Sequence, residues 1–470
     1  MKTFDAAMLW TPAGWRADAS LSVDEHGRIK AIGPAGSSAV TDSRADAEPA
    51  AGAHWILPGI ANLHSHAFQR AMAGMAERQS QPADARLGAN DPPDSFWTWR
   101  ETMYRFAARF DPDTLQAVAS QLYVEMLEAG YTTVCEFHYL HHAPDGRPYA
   151  DPALMSRALI AAARDTGIRL TLLPVLYMTG GFDGRALGAR QQRFAHGVDD
   201  YLRLLDTLCE DVGERVHIGA CFHSLRAVPT EAMAAVLATL PGGMPVHVHI
   251  AEQLGEVDDC LAMRGARPVE WLLGNADVDA CWTLVHATHL IDAEVQGIAR
   301  SGATVAICPT TEGNLGDGLF PLRAYLDAGG AWGIGSDSHI SVSPVEELRW
   351  LEYGQRLITG RRNIAVRAGS TSVGETLLHG VGESAARSCG QAVGALVEGA
   401  AADFIVLDAE APQFVGATTS DAIDRWIFSG NRNLVRDVYV GGRQVVAEGQ
   451  HRDRDAIAAR YRIAMRTLLE

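Results

Sequence analysis

The chain has 470 residues, 47% of them hydrophobic and 21% charged, with a formal net charge of -17. That length supports a large buried core, and the acidic balance argues against nucleic acid or an anionic membrane surface as partner. No run reaches the ~18 uninterrupted apolar residues of a membrane span, and the first residues lack a signal-peptide pattern, so a cytoplasmic protein is expected. Seven dispersed cysteines without a CxxC pair fit reduced thiols.

From residue 57 to about 340, short apolar or β-branched runs alternate with helical patterns. The expected strands are Leu57–His64, Thr132–His138, Arg169–Tyr177, His217–His223, Pro245–Ala251, Trp282–His286, Ala303–Cys308 and Trp332–Asp337. Asp111-Pro112 and Gly130 bracket one helix, Asp151-Pro152 and Gly167 the next, and Asp292 and Gly302 another. Eight β/α repeats with near-continuous apolar strands predict a (β/α)8 TIM-like barrel over 57–385. Residues 1–56 and 386–470 carry short strands and turns instead, such as Asp403–Leu407 and Val435–Gly442. Neither end is long enough for its own core, so they predict one composite β-sandwich domain. Asp455 to Glu470 reads as a closing amphipathic helix. The polar stretch Glu77 to Asp94 follows the first strand and reads as a lid or a mobile loop.

In a parallel barrel the C-terminal strand ends form the active face. Here they read His64-x-His66, Glu136-Phe-His138-Tyr139, His223-Ser-Leu-Arg226, His247-x-His249-x-x-Glu252, His286-x-x-His289 and Asp337-x-His339. In a strand, i and i+2 point the same way, so His64 and His66 present two imidazoles to one side. Any one strand-end histidine is more often structural than a ligand. His247, one layer deeper than His249, is read as structural, and His138, His289 and His339 as structural or supporting. Jointly, however, HxH on strand one, histidines on five and six and aspartate on eight predict a metal site.

These positions resemble those of the amidohydrolase superfamily. Its dinuclear members bridge their metals with a carboxylated lysine or another carboxylate on strand four. This chain has only Lys2 and Lys30, and strand four offers His223. The resemblance therefore points to the mononuclear deaminase branch, with one divalent metal, zinc by default, on His64, His66, His249 and Asp337. Such an ion lowers its water's pKa toward ~7, giving hydroxide. Asp337 and His286 would take the water's proton, and Glu252 would protonate a substrate nitrogen as hydroxide attacks a C=N carbon.

Arg100, closing Phe96-Trp-Thr-Trp-Arg100, and Arg226 suggest a pocket for carboxylates inside an acidic protein, because arginine's planar fork suits them. At this point the chain resembles one family, the formimidoylglutamate deiminases. The resemblance rests on Asn62–Gly74, Ser95–Tyr104, Ala129–Tyr139, Cys221–Val228, His247–Gln253, Leu284–His289 and Gly335–His339, and it extends into Trp350–Arg356. It implies that Gln69, Arg100, Tyr139, His223 and Arg226 hold a dicarboxylate substrate, N-formimino-L-glutamate. Catalytic Glu252, His286 and Asp337 would then convert it to N-formyl-L-glutamate and ammonia, in a homodimer serving histidine degradation. The stretch from Gln79 to Asn90 looks longer than in the family.

Three alternatives stand beside this reading. A mononuclear deaminase of guanine or a similar heterocycle shares the metal site and differs in the pocket. A dinuclear hydrolase of amides or cyclic ureas would bind two ions, and a non-catalytic barrel acting as a binding protein would need none of the chemistry.

Overall fold

The computed structural model describes residues 1–35, 54–78 and 94–470. Eight parallel strands follow one another around a barrel: β1 (Ile60–Ser65), β2 (Tyr131–His138), β3 (Arg169–Leu176), β4 (Val216–Ile218, then Ala220–Ser224), β5 (Val246–Ile250), β6 (Trp282–His286), β7 (Thr304–Ile307) and β8 (Ala331–Ile334). Each pairs with the next in sequence. Every residue of β2, β3, β5 and β6 is buried, as in a sheet covered on both faces.

The ring closes where β8 runs back to β1. The Asp337 N–H donates to the His64 carbonyl at 3.0 Å, and the His66 N–H donates to the Asp337 carbonyl at 3.2 Å. Gly335 permits this approach, since a Cβ there would lie 2.7 Å from His64 Cβ and 3.0 Å from its backbone nitrogen.

Local signals place the helices between the strands. Asp111 caps Pro112–Ala129 by accepting from the Thr114 N–H at 2.8 Å, and Gly130 ends that helix at φ +105°. Asp151 does not cap its helix. It instead accepts from the Ala153 N–H at 2.9 Å in a turn, and the helix begins at Leu154.

Both chain ends build a second, eight-stranded sheet. Its spatial order is Gln450–His451, Arg443–Ala447, Val435–Val440, Phe404–Leu407, Trp55–Pro58, Lys2–Thr11, Gly14–Val23 and Ile29–Pro34. All neighbours are antiparallel except Lys2–Thr11 beside Trp55–Pro58. The two ends meet where Leu57 opposes Ile405. Phe4, Leu21, Ile29, Ile56 and Phe404 form a separate core under this sheet.

The expected strand Leu57–His64 is therefore two strands. Trp55–Pro58 belongs to the flanking sheet, and the chain enters the barrel after Gly59, where a Cβ would strike the Thr132 side chain. A buried two-pronged ion pair joins the two sheets, with Arg169 Nε and Nη2 on the Asp403 carboxylate at 2.8 and 3.0 Å. The closing helix spans Arg454–Leu469 and buries Ile457, Ala464 and Leu468.

The polar stretch expected as lid or loop at 77–94 lies, but for its end residues, outside the described residues. Among the described residues, no helix is long and apolar enough to cross a membrane.

Candidate active site

Among the described residues, five of the eight non-glycine residues with positive φ lie at the barrel's strand ends. Ala251, His286, Ala287, Asp337 and His339 all adopt left-handed φ angles between +47° and +67°. Non-glycine residues rarely do so, and such strain persists where the surroundings over-determine it, typically at functional sites.

Four side chains converge at the mouth of the barrel. His64 Nε2 lies 3.1 Å from His66 Nε2 and 3.0 Å from His249 Nε2, and Asp337 Oδ1 lies 3.3 Å from the Nε2 atoms of both His64 and His66. His66 Nδ1 donates to the Phe137 carbonyl at 2.8 Å, and His249 Nδ1 to the His223 carbonyl at 2.9 Å. With both protons committed to backbone, both rings aim Nε2 lone pairs into the gap. His64 can donate to at most one of them, and its own Nδ1 is buried without a partner among the described residues. Burial lowers the pKa of all three imidazoles, so they are neutral donors beside one carboxylate. Facing lone pairs repel each other unless a cation lies between them, and three imidazoles with one carboxylate suit a divalent ion.

His286 and Glu252 stand beside this cluster. His286 Nε2 is 3.8 Å from Asp337 Oδ2 and 3.8 Å from Glu252 Oε1. Its Nδ1 lies 3.3 Å from Glu312 Oε1, which also accepts the Cys308 N–H at 2.9 Å. Burial disfavours the imidazolium, but the Glu252 charge and the Cys308 and Glu312 hydrogen bonds outweigh it and raise the His286 pKa. Burial raises the Glu252 carboxyl, against the opposing pull of His286.

One pocket opens onto these groups. Gln69, Arg100, Tyr139, His223, Arg226, His249, Glu252, His286 and Asp337 all line it, so it gathers every residue the sequence suggested except His64, which lies fully buried beneath. Gln69 Nε2 donates to the Tyr139 hydroxyl at 3.0 Å, and its buried Oε1 has no partner among the described residues. Among the described residues, no hydrogen-bond or ion-pair partner engages the Arg226 guanidinium. Arg100 stacks over the Trp97 and Tyr104 rings and donates to the Tyr177 hydroxyl at 3.2 Å.

The remaining histidines sit apart from this pocket. His247 donates to the Ser388 carbonyl at 2.9 Å below the site. His339 is wedged between the Ser65 and Ser336 hydroxyls at 3.2 and 2.9 Å, bracing the join of β8 and β1. His138 packs against His141, and the His289 carbonyl accepts from Arg267.

Sequence reasoning missed Glu312, Tyr177 and the apolar wall of Phe96, Trp99, Met103 and Leu315. The wall had a signal: 96, 99, 100 and 103 recur at i, i+3, i+4 and i+7 on the helix Phe96–Ala107. Glu312 also had one, since it follows the end of β7 by a single turn.

The amidohydrolase family pattern matches residues 55–445, which span the whole barrel. The chain belongs to the amidohydrolase family. This amidohydrolase is 48% identical, over 98% of both chains, to the formimidoylglutamate deiminase of Pseudomonas aeruginosa. It is 26% identical to the 8-oxoguanine deaminase of the same organism, over 88% of both chains. Among solved structures, an amidohydrolase from Brucella melitensis superposes over the full length of both chains, with a TM-score of 0.88 and 40% identity.

Proposed function

We propose that this amidohydrolase is a formimidoylglutamate deiminase, hydrolysing N-formimino-L-glutamate to N-formyl-L-glutamate and ammonia. The observation that carries the reading is the pocket itself, which two arginines, a neutral-imidazole cluster and an apolar wall line together. The 48% identity to a formimidoylglutamate deiminase supports it. A purine pocket would have no use for paired guanidinium groups.

His64, His66, His249 and Asp337 would hold one divalent ion, zinc by their donor set, which supplies Lewis acidity and a water acidified toward ~7. The chain's own groups do the rest. Arg100 and Arg226 take the two carboxylates, while Gln69, Tyr139 and His223 fix the backbone between them. That grip points the formimino carbon at the cluster. Asp337 accepts the proton of the attacking water, steadied by the His286 ring whose raised pKa favours the charged form, and the water oxygen adds to the C=N carbon. Glu252, whose pKa burial raises, gives a proton to the formimino nitrogen. The proton taken by Asp337 passes on to the same nitrogen, the C–N bond breaks as the adduct's hydroxyl returns its proton to Glu252 and forms the formyl C=O, and ammonia departs. Glu312 accepts the His286 Nδ1–H and so leaves Nε2 facing the reacting groups.

With this activity we propose the setting the family resemblance implies: a cytoplasmic homodimer in histidine degradation. We also keep the proposed division into a catalytic barrel at 57–385 and a composite domain of 1–56 with 386–470. The test of the activity is ammonia release from formiminoglutamate and from guanine, side by side. Release from guanine alone would favour the heterocycle deaminase.

A further inference from the structure

We infer that Tyr177 is a specificity-determining residue, fixing Arg100 against one carboxylate of the substrate and donating its own hydroxyl proton to that carboxylate. The inference rests on the functional reading above and names a residue that reading does not use.

Tyr177 follows the end of β3, is 2% exposed, and packs its ring edge-on against His223 with centroids 4.4 Å apart. Its hydroxyl accepts two hydrogen bonds, from Arg100 Nη2 at 3.2 Å and from Gln191 Nε2 at 2.9 Å. A phenol oxygen has one proton to give and two lone pairs to receive with. Both acceptor positions are taken, so the remaining O–H direction is set by geometry. Among the described residues no acceptor meets it. A buried donor left unpaired is costly, so the site is completed by an acceptor that arrives with the ligand.

Charge identifies that acceptor as anionic. Arg100 borders the pocket beside the hydroxyl, and Arg100 and Arg226 both act electrostatically on the adjoining Tyr104 phenol. A carboxylate oxygen can receive an Arg100 N–H and the Tyr177 O–H together, which an uncharged heterocycle edge does less well. Three segments thereby meet at one oxygen: Arg100 on the helix Phe96–Ala107, Tyr177 after β3, and Gln191 on the turn Ala189–Phe194. Arg190 fastens that turn a second time, pairing with Glu101 at 2.5 Å. The phenol thus aims a flexible arginine that would otherwise sample several rotamers.

The experiment uses the full chain loaded with zinc. Tyr177→Phe should raise KM for formiminoglutamate at least about tenfold, the worth of a hydrogen bond to a charged group, with kcat within about threefold. Two single-carboxylate analogues, the formimino derivatives of 4-aminobutyrate and 2-aminobutyrate, assign the contact. The penalty should vanish for the analogue lacking the gripped carboxylate and persist for the other. Gln191→Met, which removes only the second donor, should raise KM less. An equal penalty on both analogues, or an unchanged KM, would overturn the inference. Wild-type protein inactive on formiminoglutamate would overturn the functional reading and this inference with it. An active wild type beside an unaffected Tyr177→Phe would overturn the inference alone.

Discussion

His286 Nδ1 lies 3.3 Å from a carboxylate oxygen of Glu312, and the same oxygen accepts the Cys308 N–H at 2.9 Å. A carboxylate so placed can only accept, so Nδ1 carries a proton and Nε2 is turned toward Asp337 and Glu252. The orientation of the His286 ring is set from outside the pocket. Glu312→Leu should therefore lower kcat about tenfold to a hundredfold while the protein keeps its metal, the usual effect of removing an orienting carboxylate. Elemental analysis beside initial rates checks this, and full activity would show that His286 needs no such support.

Asp337 contributes one oxygen to the imidazole cluster and turns the other toward His286, at 3.8 Å. Asp337→Asn keeps the shape but removes the basicity. Turnover should fall at least ~10²-fold with the fold intact by circular dichroism. Near-normal turnover would remove Asp337 from the proton path.

Arg226 reaches the pocket with its guanidinium unengaged among the described residues. Arg226→Met should raise KM for the dianionic substrate about tenfold or more and leave metal content unchanged. A loss of metal instead would show that the arginine maintains the site rather than the substrate.

Acid should destabilise the protein through histidines buried in neutral form. Burial, with the His142 charge adding, lowers His196 to about 4. Its unfolded value is near the ordinary 6.5, so between those pH values the unfolded chain binds the extra proton. The stabilising contribution is complete above about pH 6.5 and is lost as pH falls through 4, up to roughly 3 kcal/mol for this one ring. His196 packs on His141 at 4.4 Å and His142 at 5.0 Å between ring centroids. His196→Phe keeps a ring there without the titration. Its thermal midpoint should fall less steeply from pH 6.5 to 4 than that of the wild type, and parallel curves would exclude the effect.

Much of this site could be read from the chain because its chemistry is local. Parallel strands buried on both faces show as apolar runs, and their ends carry His64, His66, His249, His286 and Asp337 within a residue or two of each run. The scarcity of lysine was equally visible. Other features depend on contacts that cross the fold. Leu57 and Ile60 look like one strand until Gly59 is seen to pass within reach of Thr132, which diverts the preceding residues into the other sheet. Glu312 matters only because the turn after β7 bends back beneath β6. Tyr177 gains meaning from Arg100 and Gln191, which lie 77 and 14 residues away in the chain. Along Phe96–Arg100, Trp97 is 53% exposed while Trp99 lines the pocket, a difference set by which face of the helix meets the barrel.

The central claim joins an imidazole–carboxylate cluster to a dicarboxylate pocket, and product analysis tests both at once. Purified, zinc-loaded protein is given formiminoglutamate, and ammonia and N-formyl-L-glutamate are quantified together. The two products are expected in equal amounts, with activity abolished by a chelator and restored by a divalent ion. Ammonia from guanine but none from formiminoglutamate would contradict it.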